Sequence, residues 1–173
     1  MVQLPGFRSW LAAVGRDYPL IRQAQQETAD ADKNVFLCSI SDLGEELDIH
    51  PKNKKDVGER LAMLALRHLY GRDILADPPR PVSCERTGNH VLLRFANAGD
   101  GLSVRGETVN ALELRAGKEK LPYRFAVSGD CLELCAENAG ERPITVSFAG
   151  GDWYRVNLYN SAGLPAIPFE IHC

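Results

Sequence analysis

The chain has 173 residues, 45% of them hydrophobic and 25% charged, the composition of a globular protein with room for one generous domain or two small ones. A formal net charge of -3 and a pI near 5.8 argue against a nucleic acid or an anionic membrane as partner, because both call for a basic face. No apolar run approaches the ~20 residues that cross a bilayer, and the Met1–Phe7 start lacks the basic end and apolar stretch of a signal peptide.

Residues 1–72 read as α/β. Val2 to Leu4 suits a short strand stopped by Pro5-Gly6, and Trp10 to Val14 a turn of helix before Gly15. Asp17 is placed to cap a helix running to about Ala29, with Pro19 tolerated in its first turn. Leu20, Ile21, Ala24 and Thr28 follow helical spacing and are expected to face a core, with Arg22, Gln25, Gln26 and Glu27 outside. The apolar run Val35-Phe36-Leu37-Cys38, continued by Ile40, suits a buried strand.

After an acidic loop, a second helix begins near Asn53, whose side chain can cap it with Asp56 as reciprocal partner. Val57, Leu61, Leu64 and Ala65 form its expected apolar face, widened by Leu66 and Leu69. Asp56 and Arg60 stand four apart as an expected ion pair, and Gly71 supplies the stop. His68 falls near the apolar face, where a packed or half-exposed imidazole is expected rather than a second catalytic one.

Composition shifts from Arg72. Asp77-Pro78-Pro79-Arg80-Pro81 reads as a stiff linker. Beyond it, short alternating runs end in turn residues: Val82 to Arg86, His90 to Phe95, Leu102 to Val104, Ala111 to Arg115, Tyr123 to Val127, Cys131 to Cys135, Ile144 to Phe148 and Trp153 to Tyr159. Strands at such spacing predict an antiparallel β-sandwich over residues 73–173, after an α/β part over 1–72. Trp153, Tyr154, Tyr159 and Asn160 are able to line a sugar-facing surface or to pack internally, and packing is the commoner use of such aromatics.

The five cysteines, at 38, 84, 131, 135 and 173, are odd in number. Cys131 and Cys135 would stand ~13 Å apart in a strand, too far to bridge, and all five are read as reduced thiols. No Cys/His spacing resembles a zinc site, and no metal or organic cofactor is implied.

The stretch Asp42-Leu43-Gly44-Glu45-Glu46-Leu47-Asp48-Ile49-His50-Pro51 holds the chemistry. It sits where a strand hands over to a helix, the end of an α/β sheet at which sites collect. His50 is the candidate general base, because imidazole titrates near neutrality. Asp48, two residues before it, is the candidate acid that fixes its tautomer, with Asp42 or Glu46 as alternatives if the loop folds back.

Asp42-Leu43-Gly44, Asp48-Ile49-His50-Pro51-Lys52-Asn53-Lys54 and Val57-Gly58-Glu59-Arg60-Leu61-Ala62 together resemble the histidine block of the sialate O-acetylesterases, serine esterases of the SGNH-hydrolase type. Val2 to Phe7, Ile21 to Gln25 and the closing Val156 to Asn160, Gly163 to Ala166 and Pro168-Phe169 extend the likeness over nearly the whole chain. The resemblance implies the C-terminal part of a flavodoxin-like SGNH-hydrolase α/β domain followed by the sandwich. It implies hydrolysis of an O-acetyl ester on a sialic acid or related sugar, with His50 as the base.

None of Ser9, Ser39, Ser41 or Ser128 has the tight strand-to-helix setting of that family's nucleophile. The expectation is therefore a chain that carries the His50/Asp48 block and lacks the serine. Its sheet would be completed by an upstream chain or a second copy, because parallel strands are covered on both faces. The competing expectation is a non-catalytic sandwich module that binds a glycan or a partner chain. Absence of a signal peptide points to the cytoplasm, although members of the resembled family are often exported.

Overall fold

A computed structural model describes all of residues 1–173. In its first part, Val2 and Cys38 form a parallel bridge, with Gln3 N–H donating to the Cys38 carbonyl (3.0 Å) and Cys38 N–H to that of Met1 (2.8 Å). The two segments expected as neighbouring parallel strands do lie side by side. Their pairing stops at that bridge instead of extending into ladders.

Where a helical turn was expected, β1 (Ser9–Trp10) and β2 (Ala13–Val14) form a small hairpin. Leu11 at its tip takes φ +52°, a left-handed conformation incompatible with a helix.

Helix α1 (Tyr18–Ala31) begins after Asp17 with Pro19 in its first turn, although the Asp17 side chain makes no capping bond. Its orientation is the reverse of the one its apolar spacing predicts. Arg22 is the buried residue, at 1% exposure, while Leu20 is 68% exposed. The reason is the edge it covers. Gln25 accepts from Leu4 N–H (2.9 Å) and donates to the Val2 carbonyl (3.1 Å), satisfying backbone that a neighbouring strand would otherwise satisfy.

Helix α2 (Lys54–His68) has the expected cap: Asn53 Oδ1 accepts Asp56 N–H (3.1 Å) and Asn53 Nδ2 donates to Asp56 Oδ2 (2.9 Å). Its inward face is rotated from the expected one and runs through Val57, Arg60, Leu64 and His68, leaving Leu66 and Leu69 exposed. Arg60 consequently pairs with Asp42 and not with Asp56. His68 is packed, stacked on Phe36 at 3.9 Å between centroids, with Nε2 2.9 Å from Asp77 Oδ1.

The remaining strands are β3 (Arg80–Thr87), β4 (His90–Ala96), β5 (Ser103–Val104), β6 (Leu112–Ala116), β7 (Glu119–Leu121), β8 (Tyr123–Ser128), β9 (Cys131–Ala136), β10 (Ile144–Phe148), β11 (Leu158–Tyr159) and β12 (Phe169–His172). They build two four-stranded antiparallel sheets, ordered β3-β4-β9-β8 and β12-β10-β6-β7, with β5 and β11 as a separate pair. Alternation decides the faces: Val91, Leu93, Leu132 and Leu134 of one sheet and Leu112, Leu114, Ile144, Val146 and Phe148 of the other share one core. Of the expected final strand only Leu158–Tyr159 forms.

Cys84 and Cys173 are joined by a disulfide, with Cα atoms 5.3 Å apart. That corrects the reading of five free thiols; Cys38, Cys131 and Cys135 remain free. The bond staples β3 to the residue after β12, and so one sheet to the other.

Polar contacts tie the first seventy residues to the sandwich. Arg80 forks onto Asp30, Gln26 donates to the Pro168 carbonyl (2.9 Å) and Ser41 Oγ to that of Ala166 (2.7 Å).

Candidate functional site

The loop from Asp42 to Asn53 leaves the Val35–Ile40 segment and enters α2, and most of its acids are engaged. Asp42 receives both guanidinium nitrogens of Arg60 (2.7 and 2.8 Å), and Arg60 Nη1 also donates to the Ser39 carbonyl (3.0 Å). Burial pulls the Arg60 guanidinium down, but the bonds and charge of Asp42 outweigh it and hold the pKa above its ordinary value. Glu46 pairs with Arg8 (2.6 Å), while the Glu46 carbonyl accepts Arg8 N–H (3.0 Å) and Ser9 N–H (3.2 Å). Glu45 lies 3.5 Å from the Lys52 ammonium. The two alternative orienting acids, Asp42 and Glu46, are thus committed to arginines.

Asp48 is the acid nearest His50. Its Oδ1 accepts the His50 backbone N–H at 2.8 Å, the short turn that aspartate favours. The same oxygen stands 3.5 Å from Nδ1, beyond a good hydrogen bond. The imidazole itself is 71% exposed and meets the indole of Trp10 edge to face, with centroids 5.4 Å apart and planes at 86°. An open hollow adjoins the loop, formed by Leu43, Leu47 and Asp48 and walled from the sandwich side by Trp153 and Arg155.

No serine hydroxyl is hydrogen-bonded to His50. Ser39 and Ser41 are buried and bonded to each other (2.7 Å), Ser9 lies in the hairpin, and Ser128 ends β8. Burial pushes the Cys38 thiol up, which makes it a poor nucleophile.

Of the four residues considered for a sugar-facing surface, three are inside. Asn160 is a hydrogen-bonding hub for the Asp77 and Asn97 carbonyls and the Ala162 and Leu164 amides. Tyr159 lies under Arg105, 3.9 Å from its guanidinium. Tyr154 is buried, its phenol pushed up to about 12 by desolvation, over which Arg22 sits at 4.8 Å. Trp153 alone keeps a face on the hollow.

Sequence reasoning missed Trp10 and Arg60 as neighbours of this loop. Arg60 lies on the i, i+3/i+4 line with Val57 and Leu64, which a search for apolar residues passes over.

The segment from Pro5 to Ser9 is gripped from both sides. Phe7 N–H donates to the Asp152 carbonyl (2.8 Å) on the sandwich side. A Cβ on Gly44 would come within 2.3 Å of the Gly6 carbonyl, and one on Gly6 within 2.7 Å of that of Tyr154. Only glycine allows the histidine loop, this segment and the sandwich to stack so closely.

No protein-family model and no curated protein matches the chain. Among solved structures it is similar to a carbohydrate acetylesterase from Xanthomonas citri, with a TM-score of 0.81 and 30% identity. The match takes in 98% of this chain and 40% of that one, so the chain spans well under half the length of the protein it resembles. The likeness to a carbohydrate esterase covers nearly everything described above.

Proposed function

We propose that this chain is the histidine-bearing portion of a serine carbohydrate O-acetylesterase, with O-acetylated sialic acid or a related sugar as substrate. The observation that carries this reading is the likeness at 30% identity over 98% of the chain. His50 lies in the loop that follows the Val35–Ile40 segment, whose Cys38 bridges in parallel to Val2, and chemistry commonly collects in loops that follow such segments. A serine from outside these 173 residues attacks the acetyl carbonyl while His50 accepts its proton. The imidazolium then returns that proton to the departing sugar oxygen, and a water repeats the cycle on the acyl-enzyme. Asp48 shapes the turn that presents the ring and sets a carboxylate 3.5 Å from Nδ1, on the side where an imidazolium's charge would develop. Residues 1–72 act as part of the α/β catalytic domain and residues 73–173 as its companion sandwich.

The same reading assigns the exposed apolar side chains of the first part. Trp10, Leu11, Val14, Leu20, Ile21, Leu66 and Leu69 are all exposed, whereas Val82 is the one large exposed apolar residue of the sandwich. Remaining catalytic-domain sequence, or a second copy of the chain, covers them.

The test is acetate release from O-acetylated sialic acid and from p-nitrophenyl acetate, by the 173-residue chain alone and by a polypeptide that also carries the serine. The chain alone is expected to be inactive and unlabelled by a fluorophosphonate. The longer polypeptide is expected to turn over and to lose activity with His50→Ala. Undiminished turnover in that variant would falsify the assignment of the base, and labelling of the short chain would refute the absent serine. The absence of a serine bonded to His50 favours one second reading, a glycan-binding module. It predicts saturable sugar binding that survives His50→Ala.

A further inference from the structure

We infer that Trp10 is a positioning residue for His50, its indole holding the imidazole in the orientation that catalysis uses; this rests on the reading of His50 as the base. The Asp48 oxygen closest to the ring is already occupied by the His50 backbone N–H, at 2.8 Å, and Nδ1 lies 3.5 Å away. No other side chain hydrogen-bonds the ring. What does touch it is Trp10, edge to face at 5.4 Å.

Trp10 is not there as core filling, since it remains 41% exposed. It is held by a hairpin whose base is tied to the histidine loop itself. Arg8 and Ser9 donate their amides to the Glu46 carbonyl, the Arg8 guanidinium pairs with the Glu46 carboxylate, and Gly15 N–H closes the hairpin onto the Arg8 carbonyl (2.8 Å). The indole and the imidazole are therefore carried by two pieces of backbone fastened to each other. An edge-to-face contact contributes about 0.5–1.5 kcal/mol, enough to bias an exposed side chain roughly twofold to tenfold toward one rotamer.

The chain has two tryptophans, so Trp153→Phe leaves Trp10 as the sole indole. A protonated imidazole in contact quenches indole emission. Trp10 fluorescence should therefore fall on acidification, and His50→Gln should remove that fall. Proton NMR of the His50 Cε1–H, assigned by the same His50→Gln change, supplies a second measurement on otherwise unaltered chain. Trp10→Ala should shift that resonance, and Trp10→Phe should restore most of the shift.

In the longer, serine-bearing polypeptide, Trp10→Ala should lower kcat/KM roughly twofold to tenfold, with Phe recovering most of it. Emission indifferent to His50, together with an unmoved resonance in Trp10→Ala, overturns the inference and leaves the functional reading standing. Full activity of His50→Ala in that polypeptide overturns the functional reading, whether or not the two rings touch.

Discussion

Arg60 and Asp42 form a two-pronged ion pair, 2.7 and 2.8 Å long, from which about nine-tenths of each side chain is withdrawn from water. It anchors the start of the histidine loop to α2. Removing one partner strands the other as a buried charge, which typically costs 3–5 kcal/mol. Arg60→Met and Asp42→Asn should each lower the urea midpoint by an amount of that order. Arg60→Lys should rescue little, because an ammonium cannot fork onto a carboxylate. The double change Arg60→Met/Asp42→Leu should be milder than either single one.

Asp48 accepts the His50 amide, and on the proposed reading its charge also serves Nδ1; substitution separates the two. Asparagine keeps an oxygen for the His50 amide but carries no charge toward Nδ1; alanine keeps neither. Asp48→Asn should preserve hydrogen-exchange protection at the His50 amide while lowering kcat of the longer polypeptide at least roughly tenfold. Asp48→Ala should lose both. Equal kcat for wild type and Asp48→Asn would mean that only the turn matters.

The Cys84–Cys173 bond closes a loop of 89 residues in sequence separation. The loop-entropy relation gives it about 4.6 kcal/mol. Under denaturing, non-reducing conditions, thiol titration should find three reactive cysteines, and reduction or Cys84→Ser should lower the unfolding midpoint without altering the secondary structure. Five reactive thiols would show that the staple does not form.

The side of α1 that carries Leu20 and Ile21 faces water. Leu20→Gln and Ile21→Gln should change the stability of this chain by no more than about 0.5 kcal/mol. They should reduce its self-association in sedimentation experiments, and in the longer polypeptide the same changes should be destabilising. Self-association unaffected by both changes would remove this face from the covered surface.

Hydrogen bonding from Arg80 holds the Asp30 carboxyl below its ordinary value of 3.8, against a smaller opposing push from burial. A carboxyl depressed in the folded state stabilises it fully above 3.8 and ceases to do so as pH falls through the lower folded value. The C-terminal end of α1 should therefore loosen from the sandwich below that pH, measured as faster amide exchange in α1. The effect should be small, because the pair is half-exposed and screened by salt. Asp30→Asn should flatten the dependence.

Legibility in the sequence followed how local each feature is. The Asn53/Asp56 cap is complete within four residues and was readable, as were most strands of the sandwich, whose alternation states its own inner face. The face of α1 was misread because apolar spacing reports which side is suited to burial, and here Gln25 and Arg22 serve backbone that a further strand would otherwise occupy. Trp10 to Val14 has helical spacing over too few residues to nucleate a turn. Cys84 and Cys173 meet only because two sheets pack, which no local pattern announces. His50 was singled out by resemblance and Asp48 by its spacing of two residues, whereas Trp10, forty residues earlier, carried no signal in the sequence.

The glycine-lined stacking of Gly44 on Gly6 and of Gly6 on Tyr154 bears on how such proteins diversify. With no side chain to act as a spacer, the β-rich half and the loop that carries His50 rest on opposite sides of one short backbone segment. Exchanging that half for one from a distant relative should therefore disturb the seat of the loop while both parts fold, unless residues 5–9 and 150–155 travel together as one cassette.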